Sequence, residues 1–168
     1  MLEPAIKYKH EIDRLLTECM YDEKYKFLTG GPIACNQLNL QDNGYNEPFY
    51  HCYASVKDGV VLGFIEFHVR YSTKSAYGFS LINFGEPNII FARDVLSCVD
   101  MCFTKFGINR IDFRCIDGNK ALDMYRKFAK KYRSYEHKLH ECAQTWDGEI
   151  RDVYIFEIFK TNRNKRND

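Results

Sequence analysis

Residues 60–106 constrain this chain more than any other stretch. They read strand, strand, short loop, long helix. Val60–Val69 (VVLGFIEFHV) follows the tight turn Lys57-Asp58-Gly59, and Ala76–Phe84 (AYGFSLINF) ends in Gly85-Glu86-Pro87-Asn88. A helix of about four turns is expected at once, over Ile89–Phe106. A strand delivered straight into a helix N-terminus gathers unpaired backbone N–H groups and the positive end of the helix dipole at one spot. That is a ready site for an anion, such as the phosphate of a cofactor.

The flanking segments supply the rest of an α+β domain. Ile12, Leu15, Leu16, Cys19 and Met20 recur at i, i+3, i+4, i+7 and i+8, one apolar face of a helix from near Pro4 to about Tyr21. A short helical continuation is expected at Tyr25–Leu28. Residues 1–5 are too few and too charged to predict a strand. Thr29–Pro48 is a polar connector with turn signals at Gly30-Gly31-Pro32 and Asp42-Asn43-Gly44; connectors of such length are usually functional or hide a short element. Phe49–Val56 alternates aromatic and small residues. Lys57-Asp58-Gly59 then turns it into Val60–Val69, giving a three-strand antiparallel meander that ends at Phe84. Within Val60–Val69, Phe64, Glu66 and His68 share one strand face, with Ile65, Phe67 and Val69 opposite.

Downstream, Val95, Val99, Cys102, Phe103 and Phe106 share a helix face, and Gly107 stands where a C-terminal cap belongs. Asn109–Cys115 predicts a strand, Lys120–Arg133 a helix, and Leu139–Thr145 with Asp152–Phe159 a hairpin about Trp146-Asp147-Gly148. Residues 161–168 (TNRNKRND) hold no apolar side chain and are expected to be a basic disordered tail on a single domain of residues 1–160.

Composition excludes several classes. A net charge of +1 argues against a nucleic-acid or membrane surface, and no apolar run approaches the roughly 18 residues of a membrane span. The first residues are too charged for a secretory signal. Seven cysteines, an odd number without a CxxC pair, fit reduced thiols in a cytosolic protein. His137-x-x-His140-x-Cys142 has metal-ligand residue types but no fourth ligand nearby, so no metal is expected. The basic helix end of Arg126, Lys127, Lys130, Lys131 and Arg133 reads as a solvated face, a contact for a cofactor's ribose phosphate, or a nucleic-acid patch.

Helix, three-strand meander, helix, strand, helix, hairpin is an order that resembles the GNAT superfamily of N-acetyltransferases, over about Phe49–Phe159. Four stretches carry the likeness: Asp58-Gly-Val-Val-Leu-Gly-Phe-Ile65; Phe106-Gly-Ile-Asn-Arg-Ile111; Asn119-Lys-Ala-Leu-Asp-Met-Tyr-Arg-Lys-Phe128; and Asp152-Val-Tyr-Ile155. The family's acetyl-coenzyme A loop reads Val-x-x-x-x-Arg/Gln-Gly-x-Gly-x-Gly/Ala. Ile82 fits its first position and Ala92 its last, while Pro87, Asn88 and Ile90 replace the basic residue and two glycines.

What the resemblance implies is a GNAT-like fold: a mostly antiparallel twisted central sheet flanked by helices, with a cleft between two splayed central strands. It implies acetyl-CoA as cofactor, bound by Ile82, Asn83 and Phe84 along the pantetheine arm, by Ile89, Ile90, Phe91, Ala92 and Arg93 at the pyrophosphate, and by Asn119. It implies Tyr125 as the acid that protonates the departing thiolate. Glu66, a carboxylate in the middle of an apolar strand, could deprotonate an incoming ammonium, or could simply face solvent by alternation; Glu86 at the loop mouth is a weaker rival. The implied partner is a primary amine, either a small molecule or a protein N-terminus or lysine, with a homodimer allowed. Two alternatives stay open: a catalytically inactive GNAT-like scaffold that binds a protein or ligand, and a nucleic-acid module using the basic helix and tail.

Overall fold

Alternation with a period of two after residue 49 decides the sheet. The computed structural model describes residues 1–28 and 49–160. Seven strands form one sheet in the order β1-β2-β3-β4-β5-β7-β6. They are β1 (Leu2–Pro4), β2 (Tyr50–Lys57), β3 (Val60–Arg70), β4 (Ser75–Asn83), β5 (Arg110–Ile116), β6 (Arg133–Gln144) and β7 (Ile150–Phe159). Every neighbouring pair is antiparallel except β4–β5. Among the described residues, three helices flank the sheet: α1 (Lys9–Cys19), α2 (Ile89–Thr104) and α3 (Ala121–Ala129).

Strand alternation sorts the core into two layers. On one face, Ile12, Leu16 and Cys19 of α1 pack on Cys52, Ala54, Val56, Phe64 and Ile82. On the other, Cys98, Val99, Cys102 and Phe103 of α2 and Leu122 and Ala129 of α3 cover Ile65, Phe67, Ile111, Phe113 and Phe156. The thiols of Cys19, Cys52, Cys98, Cys102 and Cys115 are free and buried within these layers. No helix among the described residues is long and apolar enough to cross a membrane.

Four local readings differ from the sequence expectation. Residues 2–4 do form a strand, pairing Leu2 with Ser55 and Pro4 with Tyr53. What holds it is not local. Val56 N–H donates to Met1 O at 3.0 Å, and the Met1 amine lies 3.4 Å from Asp94 of α2, whose carboxylate also accepts from Ser55 Oγ at 2.6 Å. The chain then makes a 3-10 turn, Ala5–Tyr8, so α1 starts at Lys9 rather than near Pro4. The helix expected to reach Arg133 stops at Ala129, because Arg133–Leu139 pair with Val153–Phe159 of β7 and the sheet overrides helical propensity there. Tyr25–Leu28 is not a helix; a 3-10 turn spans Glu23–Tyr25 instead. The connector Thr29–Pro48 and the tail 161–168 lie outside the described residues.

α2 closes as Gly107 requires: its φ is 65°, and Ile108 N–H donates back to Cys102 O at 3.0 Å. The chain then enters β5 beside the start of β4.

Candidate active site

A parallel pair of neighbours ought to zip along its length. β4 and β5 do so for two residue pairs only, Ser75 with Arg110 and Ala76 with Ile111. Beyond them β4 runs on to Asn83 and β5 to Ile116 with no pairing between them. Each strand is held on its other side, β4 by β3 and β5 by β7, so the two diverge into a wedge in the middle of the sheet. Phe84 N–H donates to Leu62 O at 2.9 Å. Antiparallel alternation therefore turns the backbone groups of Ile82 toward β3 and those of Leu81 and Asn83 toward the wedge.

The loop from β4 to α2 is tied from within. Asn83 Nδ2 donates to Gly85 O and Glu86 O, each at 3.0 Å, and Asn83 Oδ1 accepts from Asn88 Nδ2 at 3.0 Å. Asn88 is the N-cap of α2, its Oδ1 accepting from Phe91 N–H at 2.7 Å. Ala92 N–H donates to Asn88 O at 3.3 Å. The expectation that all amides of residues 89–93 meet an anion is thereby narrowed: those of Phe91 and Ala92 are already used, and those of Ile89 and Ile90 are the first-turn donors left. Ile89 points its side chain away from the core, at 67% exposure. Exposed Arg93 adds a cation one turn in. Phe91 turns back over β3, where a Cβ on Gly63 would fall inside its ring and 2.7 Å from Ile82 O. Gly63 is thus a close-approach glycine.

Glu66 does not face solvent. It is 4% exposed on the α1 face, with Cys52 opposite it on β2 and Ser80 opposite it on β4. Tyr50 O–H donates to Glu66 Oε2 at 2.5 Å. Burial pushes this carboxyl up to about 7, against the downward pull of the Tyr50 hydrogen bond. A carboxylate near its midpoint at neutral pH can both accept and release a proton.

Tyr125 sits on the opposite face. Its ring meets Phe113 of β5 edge-on at 5.3 Å and Phe156 of β7 at 6.4 Å. Burial, with Cys115 beside it, pushes the phenol above its ordinary range, so it keeps its proton at any ordinary pH. Asn119 stands two residues before the helix that carries Tyr125, and its Oδ1 accepts from Ala121 N–H at 2.9 Å. Tyr125 and Glu66 therefore lie on opposite faces of the sheet, Tyr125 packed on β5 and β7 and Glu66 on β3 opposite Ser80 of β4.

Sequence reasoning missed a strap. Lys24 Nζ donates to Gly85 O at 3.2 Å, and Tyr25 O–H donates to Asn83 O at 3.0 Å while accepting from Gly85 N–H at 3.3 Å. The next two residues reach the β6–β7 turn, the start of β7 and the loop after β5. Lys26 pairs with Asp147 at 2.7 Å, and the Phe27 ring lies under Arg151 at 5.5 Å and beside Gly118. Four consecutive residues thus link the end of β4 to the last hairpin and to the loop that follows β5. Only partners some 60 and 120 residues away make this visible. Behind the strap, a cavity of about 370 Å³ opens between α1 and the strand ends, lined by Glu11, Arg14, Glu18, Tyr25, Val61 and Phe84.

The remaining motifs resolve into surface pairs. Arg126 is committed to Glu136, at 2.8 and 3.0 Å, and lies 4.7 Å over the Tyr154 ring. Lys127, Lys130 and Lys131 stay exposed. His137 pairs with Glu157 at 3.1 Å and His140 lies 3.6 Å from Asp152.

No protein-family model matches the chain, and no curated protein matches it in sequence. Solved structures do match in shape. A probable GNAT-family acetyltransferase from Chromobacterium violaceum superposes with a TM-score of 0.69 at 18% identity, over 98% of this chain and 88% of that one. A single-residue variant of the spermidine N-acetyltransferase SpeG from Vibrio cholerae gives 0.71 at 20% identity, over 100% and 99%. The spermidine N-acetyltransferase from the same organism, in complex with CoA and spermine, gives 0.69 at 17%, over 98% and 97%. Identities this low speak for architecture and not for chemistry. Seven strands in this order, the splayed parallel pair at their centre and these full-length superpositions establish that the chain has the GNAT acetyltransferase fold.

Proposed function

We propose that the protein is an acetyl-CoA-dependent N-acetyltransferase that acts on a primary amine. The observation that carries this is the wedge, open after two residue pairs, in a sheet that buries Glu66 on one face and packs Tyr125 on the other. Acetyl-CoA would supply an acetyl group activated as a thioester. The residues present fit it: wedge-facing backbone groups of Leu81 suit the pantetheine amides, and the Ile89 and Ile90 amides with Arg93 suit the pyrophosphate. Pro87 has no N–H to add there.

Glu66 then serves as the base. An acceptor arrives as an ammonium, and only the neutral amine has the lone pair to attack; Glu66 takes that proton onto a carboxylate oxygen. Tyr125 holds a proton at its hydroxyl for the sulfur that departs. The acceptor is a small amine or a protein N-terminus or lysine. The Vibrio cholerae neighbour was solved with spermine, which makes polyamines the first acceptors to try.

The experiment has two arms. Acetyl-CoA should raise the thermal midpoint by mass action, and an amine panel led by spermidine and spermine should release free thiol. No shift at millimolar acetyl-CoA overturns the cofactor assignment. A shift without thiol release leaves a CoA-binding scaffold.

A further inference from the structure

Glu66 is buried between strands, and what fixes its orientation comes from the pattern of side chains around it. β2 and β3 place Tyr50 opposite His68 and Cys52 opposite Glu66. Tyr50 is therefore a diagonal neighbour of Glu66 on the same face, within reach of an aromatic side chain. Its ring does not swing freely. His68 stacks on it at 4.8 Å and 29°, and Tyr77 stacks behind His68 at 5.5 Å and 24°. The Arg70 guanidinium closes the far end, 4.8 Å over Tyr77. Three rings and a guanidinium from three strands make one column that ends at a carboxylate.

The column depends on an irregularity in β4. Glu66 pairs with Ser80 but His68 pairs with Tyr77, so β3 advances two residues while β4 advances three. Without the extra residue, Tyr77 and Ser80 would point to opposite faces. Gly78 absorbs it with a φ of 65°, and a Cβ there would come within 3.2 Å of the His68 ring. The bulge is what brings Tyr77 onto the α1 face behind His68.

Among the described residues, the titratable and charged groups that share this face with Glu66 include Tyr50 and Cys52 of β2, His68 and Arg70 of β3, Tyr77 of β4, Tyr8 and Cys19 at the two ends of α1, and Tyr25 beyond it. Of these, Tyr50 donates to the carboxylate. Burial pulls His68 below its ordinary value, so it is a neutral ring in the stack. Resting on the acetyl-transfer reading, we propose that Tyr50, held by the His68–Tyr77–Arg70 column, is the positioning residue for Glu66. It aims one carboxylate oxygen and stabilises the ionised form, leaving the other oxygen to take the acceptor's proton. In that step an N–H bond of the ammonium breaks and an O–H bond forms on Glu66.

The test reads Glu66 directly. Its protonated C=O band in difference infrared spectra is identified by its loss in Glu66→Gln, then titrated in the wild type, Tyr50→Phe, His68→Ala and His68→Phe. Tyr50→Phe removes one hydroxyl and should raise the midpoint by about one to two pH units, the worth of a hydrogen bond to a charged group. His68→Ala should raise it less, and His68→Phe, which keeps a ring in the stack, should restore it. An unchanged midpoint in Tyr50→Phe overturns the proposal; an unchanged midpoint in His68→Ala removes the column from it. In the transfer assay, the pH dependence of kcat should move with the infrared midpoint while KM for acetyl-CoA holds. A midpoint that moves in a protein that acetylates no amine supports the Tyr50–Glu66 coupling and ends the acetyl-transfer reading instead.

Discussion

Asn88 Oδ1 accepts the amide hydrogen of Phe91 at 2.7 Å, so the first turn of α2 carries its own cap at the place where a phosphate would otherwise draw on that amide. The same side chain reaches back through Nδ2 to Asn83. Loop and helix are thereby rigid without any anion present. Asn88→Ala should cost about 1 kcal/mol of stability, the usual worth of an N-cap. It should not weaken acetyl-CoA binding, because it hands one more amide to the pyrophosphate. Urea unfolding and titration calorimetry on the same variant check both halves. A fall in affinity would show that Asn88 itself touches the cofactor.

Glu66 makes stability depend on pH in a defined window. Its carboxyl is pushed up to about 7 in the folded protein, against an ordinary value of 4.5. The folded state thus binds its proton more tightly than the unfolded chain. The stabilisation is complete below about 4.5, declines as pH rises, and is gone above about 7. Full expression of the shift corresponds to about 3 kcal/mol. Glu66→Gln, which stays neutral and still accepts from Tyr50, should flatten this slope and be more stable than the wild type at pH 8. Thermal midpoints measured from pH 4 to 8 decide it.

Activity should carry the same signature. The rate should rise with pH through about 7 in the wild type as Glu66 becomes able to accept a proton. In Glu66→Gln that limb should vanish. A profile that keeps its rise would assign the base elsewhere, with Glu86 the next residue to replace.

Tyr125→Phe should lower kcat by about 100-fold, the lower end for loss of a general acid. KM for acetyl-CoA should hold. The ring contacts with Phe113 and Phe156 survive the substitution, so stability should change little. An unaltered kcat would leave Tyr125 as a core residue whose hydroxyl has no part in transfer.

Gly63→Ala should destabilise the fold by about 1–3 kcal/mol through overpacking, since its methyl would enter the space of the Phe91 ring and the Ile82 carbonyl. Adding Phe91→Leu should recover part of the loss. If the single substitution is neutral in chemical denaturation, the α2 N-terminus is looser on β3 than this contact implies.

Local chemistry made much of this legible. Alternation in Phe49–Val56 and Val60–Val69 marks β2 and β3, and it separates Glu66 from Ile65 and Phe67 correctly. Asn88 before two isoleucines marks the start of α2, and Gly107 its end. The features that escaped are non-local. β1 is three residues long and exists through Ser55, Val56 and Asp94. The end of α3 was misjudged because the strand pairing of Arg133–Leu139 belongs to β7. Whether Glu66 faces water or is sealed in depends on Tyr50, sixteen residues earlier. Tyr77 joins that face only through a bulge whose single outward sign is Gly78.

The strap has a mechanical consequence. Lys24 and Tyr25 tie to the end of β4, while Lys26 and Phe27 tie to Asp147 and Arg151 in the last hairpin. One short run of chain thus laces together the two halves of a sheet that two residue pairs alone join at its centre. Prising those halves further apart would first have to undo the lacing.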